Sequence, residues 1–200
     1  MSGGTLPSSP APAAVIPRSS QPTRASRSHS LRLTTRTRGP QMWAFRFTYA
    51  PMTRAQWAPL YAFLLSQRGQ ADRFNAVVPI LKTPLGTWPG APVVDGAGQT
   101  SATVAIRGLT ASQAGAAKAG DIIKFAGHSK VYMLTQDASS DGAGKTSINF
   151  QPQLIAAIAD GEALTVSSVP FTVILASDNL DSAIAEGANF KLEFDLVEAF

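Results

Sequence analysis

The stretch Gln41-Met-Trp-Ala-Phe-Arg-Phe-Thr-Tyr49 decides the fold class. Its aromatic side chains recur at every second position and therefore share one face of an extended strand: Trp43, Phe45, Phe47 and Tyr49. Such a face favours a buried core over a surface that stacks a ligand. We expect this strand to form an antiparallel hairpin with residues 30–38, turning at Gly39-Pro40.

Two elements outside this strand complete one β domain. The stretch Phe190–Leu196 alternates apolar and charged residues, so we expect it to pair with the aromatic strand. Residues 52–69 change to a helical period, with Thr53 and Gln56 in the positions of a capping box and Gly69 as a stop. The helix should cover the sheet with one apolar stripe: Trp57, Leu60, Tyr61, Leu64 and Leu65.

Short strands separated by glycine turns occupy the middle of the chain, and a short helical turn is expected in residues 153–158. The predicted fold class is mainly β: a β-sandwich belt domain with one covering α-helix, plus an inserted small β-barrel or β-sandwich domain. The belt would comprise residues 29–90 and 170–200, and the inserted domain residues 91–169. Residues 1–28, rich in Ser, Pro, Ala and Arg, would be an extended N-terminal arm, either disordered or added to the sheet edge of a neighbour.

Charge is divided unevenly along the chain. Residues 1–73 carry ten arginines and one acid, a balance of +9, whereas residues 74–200 carry seven basic and twelve acidic residues, a balance of −5. This division suits either nucleic-acid binding or contact between the basic face of one copy and the acidic face of the next. Self-assembly is favoured, and no specific nucleic acid is expected, because the arginines lie along apparent strands without exposed aromatic residues between them.

Composition excludes other classes. The 200 residues include no cysteine, which rules out disulfides and cysteine-based catalysis or metal binding. No run approaches the roughly 18 apolar residues of a membrane-spanning helix, so no membrane partner is expected.

The segment Asp141-Gly-Ala-Gly-Lys-Thr-Ser147 matches the end of the phosphate-binding pattern G-x-x-x-x-G-K-[ST], but Ser139 stands where the first glycine belongs. A phosphate-binding loop also needs a following helix, whereas β-prone residues and then Gln151-Pro152 follow here. A twin segment, Asp95-Gly-Ala-Gly-Gln-Thr-Ser101, lacks the lysine. The shared Asp-Gly-x-Gly is typical of a hairpin turn, so no nucleotide site is predicted.

No other residue set suits catalysis, a metal or a cofactor, and we expect a protein that is not an enzyme. His29 and His128 lack the spacing of a metal motif, and we expect both to face solvent. Asp137 and Asp141 flank a turn without the pattern of a calcium loop. The remaining carboxylate pairs lie in a loop or on the solvated face of a strand.

Two groups of residues resemble a tail protein family of long-tailed bacteriophages and prophages. The first has a Gly-Gln-Arg-Trp-like strand start, a Met-Thr-Arg-Ala helix start and an Ala-Phe-Leu…Gln-Arg-Gly-Gln…Phe helix end, matched here by Gly39, Gln41, Trp43, Met52, Thr53, Arg54, Ala55, Ala62, Phe63, Leu64, Gln67, Arg68, Gly69, Gln70 and Phe74. The second is a Gly-Asp…Val-Tyr…Gly…Pro-x-Leu module, matched by residues 119–135, 141–145 and 151–154. With the closing 190–196 strand, the resemblance covers roughly residues 35–200.

The resemblance implies a structural virion protein of the distal-tail kind. Such proteins have a β-sandwich belt domain that closes into a ring, expected here to be a hexamer, at the distal end of the tail, with an inserted domain at the periphery. The ring joins the tail tube protein to the tip hub and other minor tail proteins, and it is made in the cytoplasm of the host bacterium. Opposite charges should meet across its subunits at these residues: Arg32, Arg36, Arg38, Arg54, Asp181, Glu186, Glu193 and Asp195.

Two alternatives stay open. A tail tube or tail terminator subunit would also form rings, but it usually lacks an inserted domain. A carbohydrate-binding module of the tail tip, serving host attachment, would need exposed aromatic side chains in residues 91–169. The candidates there are Phe125, Tyr132 and Phe150, and we expect them to be buried in a core.

Overall fold

The structure is a computed structural model that describes residues 2–185 and 189–200. Its strands are β1 (Ser2–Thr5), β2 (Ala14–Ser20), β3 (Thr23–Arg27), β4 (Leu33–Thr37), β5 (Met42–Thr48), β6 (Arg73–Val77), β7 (Gly90–Val94), β8 (Thr103–Leu109), β9 (Ile122–Phe125), β10 (Tyr132–Leu134), β11 (Thr146–Gln151), β12 (Leu164–Thr165), β13 (Pro170–Leu175), β14 (Ser182–Ala185) and β15 (Asn189–Glu198). The helix α1 spans Arg54–Ser66, and a 3₁₀ turn spans Pro79–Leu81. The expected fold class, mainly β with one covering helix and a second small β domain, is confirmed.

A seven-stranded sheet, which we name the belt sheet, has the order β1-β6-β13-β15-β5-β2, with β14 added to β15. The predicted pairing of the aromatic strand β5 with β15 is confirmed, and the structure shows it to be antiparallel. Phe47 lies opposite Phe194 with the two rings stacked at 5.5 Å. The four aromatic side chains of the inward face are buried: Trp43, Phe45, Phe47 and Tyr49. Their burial places the core of the belt on the inner face of β5 and β15.

Helix α1 covers this core. Its start confirms the predicted cap, because the Thr53 N–H donates to the Gln56 side-chain oxygen at 3.1 Å. Leu60 and Leu64 are fully buried among the belt residues. Gly69 follows the helix with a φ of +66°, a conformation that favours glycine and ends the helix.

The hairpin predicted between residues 30–38 and 41–49 is wrong. Strand β5 pairs instead with β2, and β4 pairs with β3, so one long hairpin runs out through β2 and β3, reverses near residues 28–31 and returns through β4 and β5. Pro22 and Pro40 lie where the two ladders are interrupted. Because proline has no N–H to donate, Gly39-Pro40 breaks the ladder of a continuing hairpin and does not reverse the chain.

Six strands between β6 and β13 form a second sheet, which we name the insert, in the order β12-β9-β10-β11-β8-β7. A bridge between Val93 and Ala163 joins its two edges, so the sheet nearly closes into a barrel. The chain enters and leaves the insert at adjacent points, where the Ser168 N–H donates to the Lys82 carbonyl at 2.6 Å.

The interior of the insert is filled by aromatic and aliphatic side chains. Phe125, Tyr132 and Phe150 are at most 1% exposed, as predicted for core residues. The helical turn predicted in residues 153–158 is wrong, because the backbone N–H groups of this segment bond across to the connection that follows β7, including Ile158 to the Gln99 carbonyl at 3.3 Å.

Both Asp-Gly-x-Gly segments lie between antiparallel neighbours, as predicted, residues 95–98 between β7 and β8 and residues 141–144 between β10 and β11. The Asp141 carboxylate accepts from the Lys145 N–H at 2.8 Å, and Gly144 has a φ of +71°. The Lys145 ammonium contacts Asp95 at 2.8 Å. The lysine that completes the apparent phosphate motif therefore ties one turn to the other, and strand β11 follows it instead of a helix.

Candidate assembly interface

Among the described residues, no group of three or more His, Cys, Asp or Glu side chains is placed to hold a metal ion. Nor does any helix in the described ranges have the length and apolar character to cross a membrane. His29 is exposed, as predicted. The prediction that His128 faces solvent is wrong: the side chain is 8% exposed, and Nδ1 lies 3.1 Å from the Tyr132 hydroxyl, which satisfies the buried ring.

The first notable surface is the basic hairpin, defined as residues 22–38, which includes β3 and β4. Every residue in this range is exposed. It carries five arginines and no acid: Arg24, Arg27, Arg32, Arg36 and Arg38. Arg24 lies directly opposite Arg36 across the two strands, an arrangement of like charges that destabilises a ladder. Within residues 2–185 and 189–200, none of the five forms an ion pair.

The second surface is the acidic groove, of about 700 Å³, between the connection 176–181, strand β14 and the outward face of β15. Its charged lining consists of Arg46, Asp181, Lys191, Glu193 and Asp195. Three acids against two bases make the groove slightly negative. Asp178, exposed in the same connection, adds one further carboxylate beside the groove.

An ion pair crosses the floor of the groove between β5 and β15. Arg46 donates from Nε and Nη2 to the two carboxylate oxygens of Asp195, both at 2.8 Å, and its Nε lies 3.5 Å from Glu193. The hydrogen bond to Asp195 raises the pKa of Arg46, and the same bond holds the pKa of Asp195 below its usual value. Asp181 is exposed and has no ion-pair partner among the described residues.

The structure groups the predicted interface residues by charge. The basic hairpin holds Arg32, Arg36 and Arg38, and the acidic groove holds Asp181, Glu193 and Asp195. Arg54 is exposed at the first residue of α1. Glu186 lies outside the described residues. The hairpin leaves the Met42 end of β5 and the groove borders its Thr48 end, so the two surfaces lie at opposite ends of the strand, roughly 20 Å apart at 3.3 Å per residue.

A buried ion pair joins the belt sheet to the insert. Lys130, between β9 and β10, is 0% exposed, and its ammonium contacts the Glu198 carboxylate at the end of β15. It also donates to the backbone and side-chain oxygens of Gln41, at 2.7 and 3.0 Å, and lies 4.7 Å from the centre of the Phe200 ring. We name Lys130, Glu198 and Gln41 the junction cluster.

The junction cluster satisfies both charges. Glu198 accepts from the Val131 N–H at 3.0 Å and from the Trp43 N–H at 3.2 Å, so it receives bonds from the insert and from the belt. Burial lowers the pKa of Lys130, and the hydrogen bond that its ammonium donates to Glu198 acts in the opposite direction. Because either charge alone would be buried without a counterion, the cluster fixes the position of the insert on the belt.

The sequence alone predicts only one of the two charged residues of this junction, Glu198. In β15 the residues at 190, 192, 194 and 196 point inward, and Glu198 continues that series, so the period of two already indicates a buried carboxylate. Lys130 has no comparable signal, because it lies in a connection whose direction depends on the tertiary fold.

The Gly120-Asp121 pair, part of the second resemblance module, has a structural role in the insert. The Asp121 carboxylate accepts from the Leu85 N–H at 2.5 Å, the Gly86 N–H at 3.1 Å and the Trp88 indole at 2.8 Å. It is 2% exposed and holds the connection before β7 against the barrel. The buried Trp88 ring consequently belongs to the core of the insert.

Comparison with known proteins bears on the insert. Residues 82–169 match the family model of the distal tail protein pb9, B domain. This range contains all six insert strands and the connection that Asp121 holds. No curated protein matches the chain. The insert is thus similar to the B domain of a bacteriophage distal tail protein, which supports the resemblance to distal tail protein-like minor tail proteins found in the sequence.

Proposed function

We propose that the protein is a structural subunit that closes into a homo-oligomeric ring at the distal end of the phage tail and joins the tail tube to the tip and hub complex. The observation that carries the proposal is the match of the insert to a distal tail protein B domain. The subunit acts by fitting against its neighbours and transforms no substrate.

A closed ring requires each subunit to present two different and complementary surfaces. The basic hairpin and the acidic groove meet this requirement, because they differ in charge and lie at opposite ends of β5. Repetition of a head-to-tail contact around an axis would close such a ring, with six copies as the proposed number. The faces above and below would meet the tail tube protein on one side and the hub and other minor tail proteins on the other.

The junction cluster supports a peripheral insert held at a fixed angle. Besides the Lys130–Glu198 pair, the Lys124 ammonium of the insert donates to the Pro170 carbonyl of the belt at 3.1 Å. With two such lysines bridging the domains, the insert cannot swing freely on its two connections. Its outer surface would therefore project from the ring in a constant direction.

The alternatives have weaker support. A tail tube or terminator subunit would not need the inserted domain. A carbohydrate-binding role lacks an aromatic platform, because Phe125, Tyr132 and Phe150 are all buried in the insert core.

The proposal is tested by gold-labelled antibody on intact virions together with mass photometry of the purified protein. We expect label confined to the distal tail tip and a closed oligomer of the isolated protein. An antibody against the tail tube protein serves as the control for access along the tube. Label spread along the tube, or at the end next to the capsid, would overturn the placement.

A further inference from the structure

The basic hairpin lacks the support that isolated β-hairpins need. Two strands alone are marginally stable in water, and three or more with a packed face are normally required. Here both strands and the turn between them expose every residue, including Leu31 in the turn at 77% and Leu33 of β4 at 54%. The hairpin thus projects from the belt with nothing in the described chain packed against it.

The positive charge of the basic hairpin destabilises it further. Arg24 and Arg36 are cross-strand neighbours, and all the other charged residues of the hairpin are also arginines. An anionic surface placed against the hairpin would relieve the repulsion between its arginines and would supply the packed face that the two strands lack. Both the exposure and the charge of the hairpin therefore point to the same kind of partner, an acidic protein surface.

We infer that the basic hairpin of one subunit docks into the acidic groove of a second copy of this chain. The inference rests on the proposed ring and names the contact that closes it. In the groove, Asp181 has no ion-pair partner among the described residues, and Glu193 is exposed at its edge. The docked arginines would add to the charge network that Arg46 already forms with Glu193 and Asp195.

The contact forms between copies because a chain cannot reach its own groove. The hairpin extends outward from the Met42 end of β5, whereas Thr48 and Tyr49 line the groove at the other end. The span of β5 separates them by roughly 20 Å, and the five-residue strands of the hairpin reach about 17 Å in the outward direction. The geometry consequently produces a heterologous contact, the type that generates rings.

A charge-swap experiment tests the docking. The first variant carries Arg24→Glu and Arg36→Glu in the hairpin, and the second carries Asp181→Arg and Glu193→Arg in the groove. Each alone should bind its own copies more than about 100-fold more weakly than the wild type, because like charges then face each other at the altered positions. An equimolar mixture should recover assembly, because each altered surface meets a complementary one on the other variant. Mass photometry and sedimentation measure the assembly of each variant alone and of the mixture.

A matched control changes the same number of charges elsewhere, with Arg73→Glu and Lys82→Glu, and should assemble like the wild type. Circular dichroism melting curves for all variants separate loss of docking from loss of folding. A second measurement uses the absence of native cysteine. Leu31→Cys and Ala183→Cys, mixed as two proteins, should give a disulfide-linked dimer, whereas Leu31→Cys mixed with Lys82→Cys should give none.

The outcomes separate this inference from the proposed function. If the hairpin variant forms the same rings as the wild type, or if the mixture of the two variants stays unassembled, the docking is refuted. The proposed ring itself is not refuted by either result. A wild type that never associates, on or off the virion, would overturn both. Binding of duplex DNA that is lost in the hairpin variant, with assembly unchanged, would assign the hairpin to nucleic acid and refute docking on a second copy.

Discussion

Replacing Lys130 with methionine should destabilise the protein by about 3–5 kcal/mol, the usual cost of removing one partner from a buried ion pair. The Lys130 side chain is 0% exposed and that of Glu198 is also 0% exposed, so the remaining carboxylate cannot recover its hydration. Gln41 loses the donor for both of its oxygens in the same variant, which favours the upper part of the range.

Urea unfolding followed by tryptophan fluorescence measures this loss. Trp43 is a direct reporter, because its backbone N–H donates to Glu198. With an m value of about 2–3 kcal/mol per molar urea, the midpoint should fall by roughly 1–2.5 M. The double variant Lys130→Met with Glu198→Gln should lose less than the sum of the two single variants, because it leaves no unpaired charge.

Lys145→Met is the matched control. It also removes a lysine of the insert from an ion pair, with Asp95, but the Lys145 side chain is 50% exposed. Exposed pairs of this kind contribute less than about 1 kcal/mol. If Lys130→Met were no more destabilising than Lys145→Met, the claim that the junction cluster holds the two domains together would be refuted.

Three further predictions concern the insert. Gly144→Ala should cost about 1–3 kcal/mol in urea unfolding, because φ is +71° there, whereas Gly142→Ala, with open space around it, should change stability by less than about 0.5 kcal/mol. Hydrogen bonding from Arg107 lowers the pKa of Asp160 to about 2, so its contribution is present above pH 4 and is lost as the pH falls towards 2. Asp160→Asn should consequently differ from the wild type in urea midpoint at pH 6 and converge with it near pH 2. Asp121→Ala should cost at least about 2–4 kcal/mol and shift the insert tryptophan emission to longer wavelength, because several buried donors lose their acceptor; an unshifted spectrum would contradict that role.

The sequence predicted those elements whose side-chain period is governed by one buried face. Strand β5 and strand β15 alternate without interruption, and their pairing follows because each has a single apolar face to bury. The capping box correctly predicted where helix α1 begins. The predicted apolar stripe was wrong at Leu65, which is 56% exposed, because the sheet beneath covers a narrower face of the helix.

The long hairpin was missed because its strands other than β5 have no apolar period. Strands β2 and β3 contain mostly Ser, Arg, Thr and Ala, and only Val15 of β2 is partly buried. Such strands are held by backbone pairing with β5 and β4, which composition does not reveal. The Gly39-Pro40 pair was then interpreted as a turn that reverses the chain, although it only interrupts the hydrogen-bond ladder of the long hairpin where β4 ends and β5 begins.

The interface residues were predicted by charge alone, and the arrangement within one chain does not test that prediction. Asp195 already has Arg46 as a partner, which the antiparallel register supplies and which spacing along the sequence does not show. The contact between copies stays a prediction. The division into residues 1–28, the belt and residues 91–169 also stays a prediction, which limited proteolysis can test.

The hydrogen bond between Ser168 and Lys82 has an evolutionary consequence. Two connections that leave the belt side by side allow the intervening domain to be exchanged for another without redrawing the sheet that carries it. Glu198 restricts that freedom, because any replacement would have to bring its own cation to the same position or leave a bare carboxylate inside the protein. Among related proteins, recombination should therefore preserve this lysine and acid together, or lose them together.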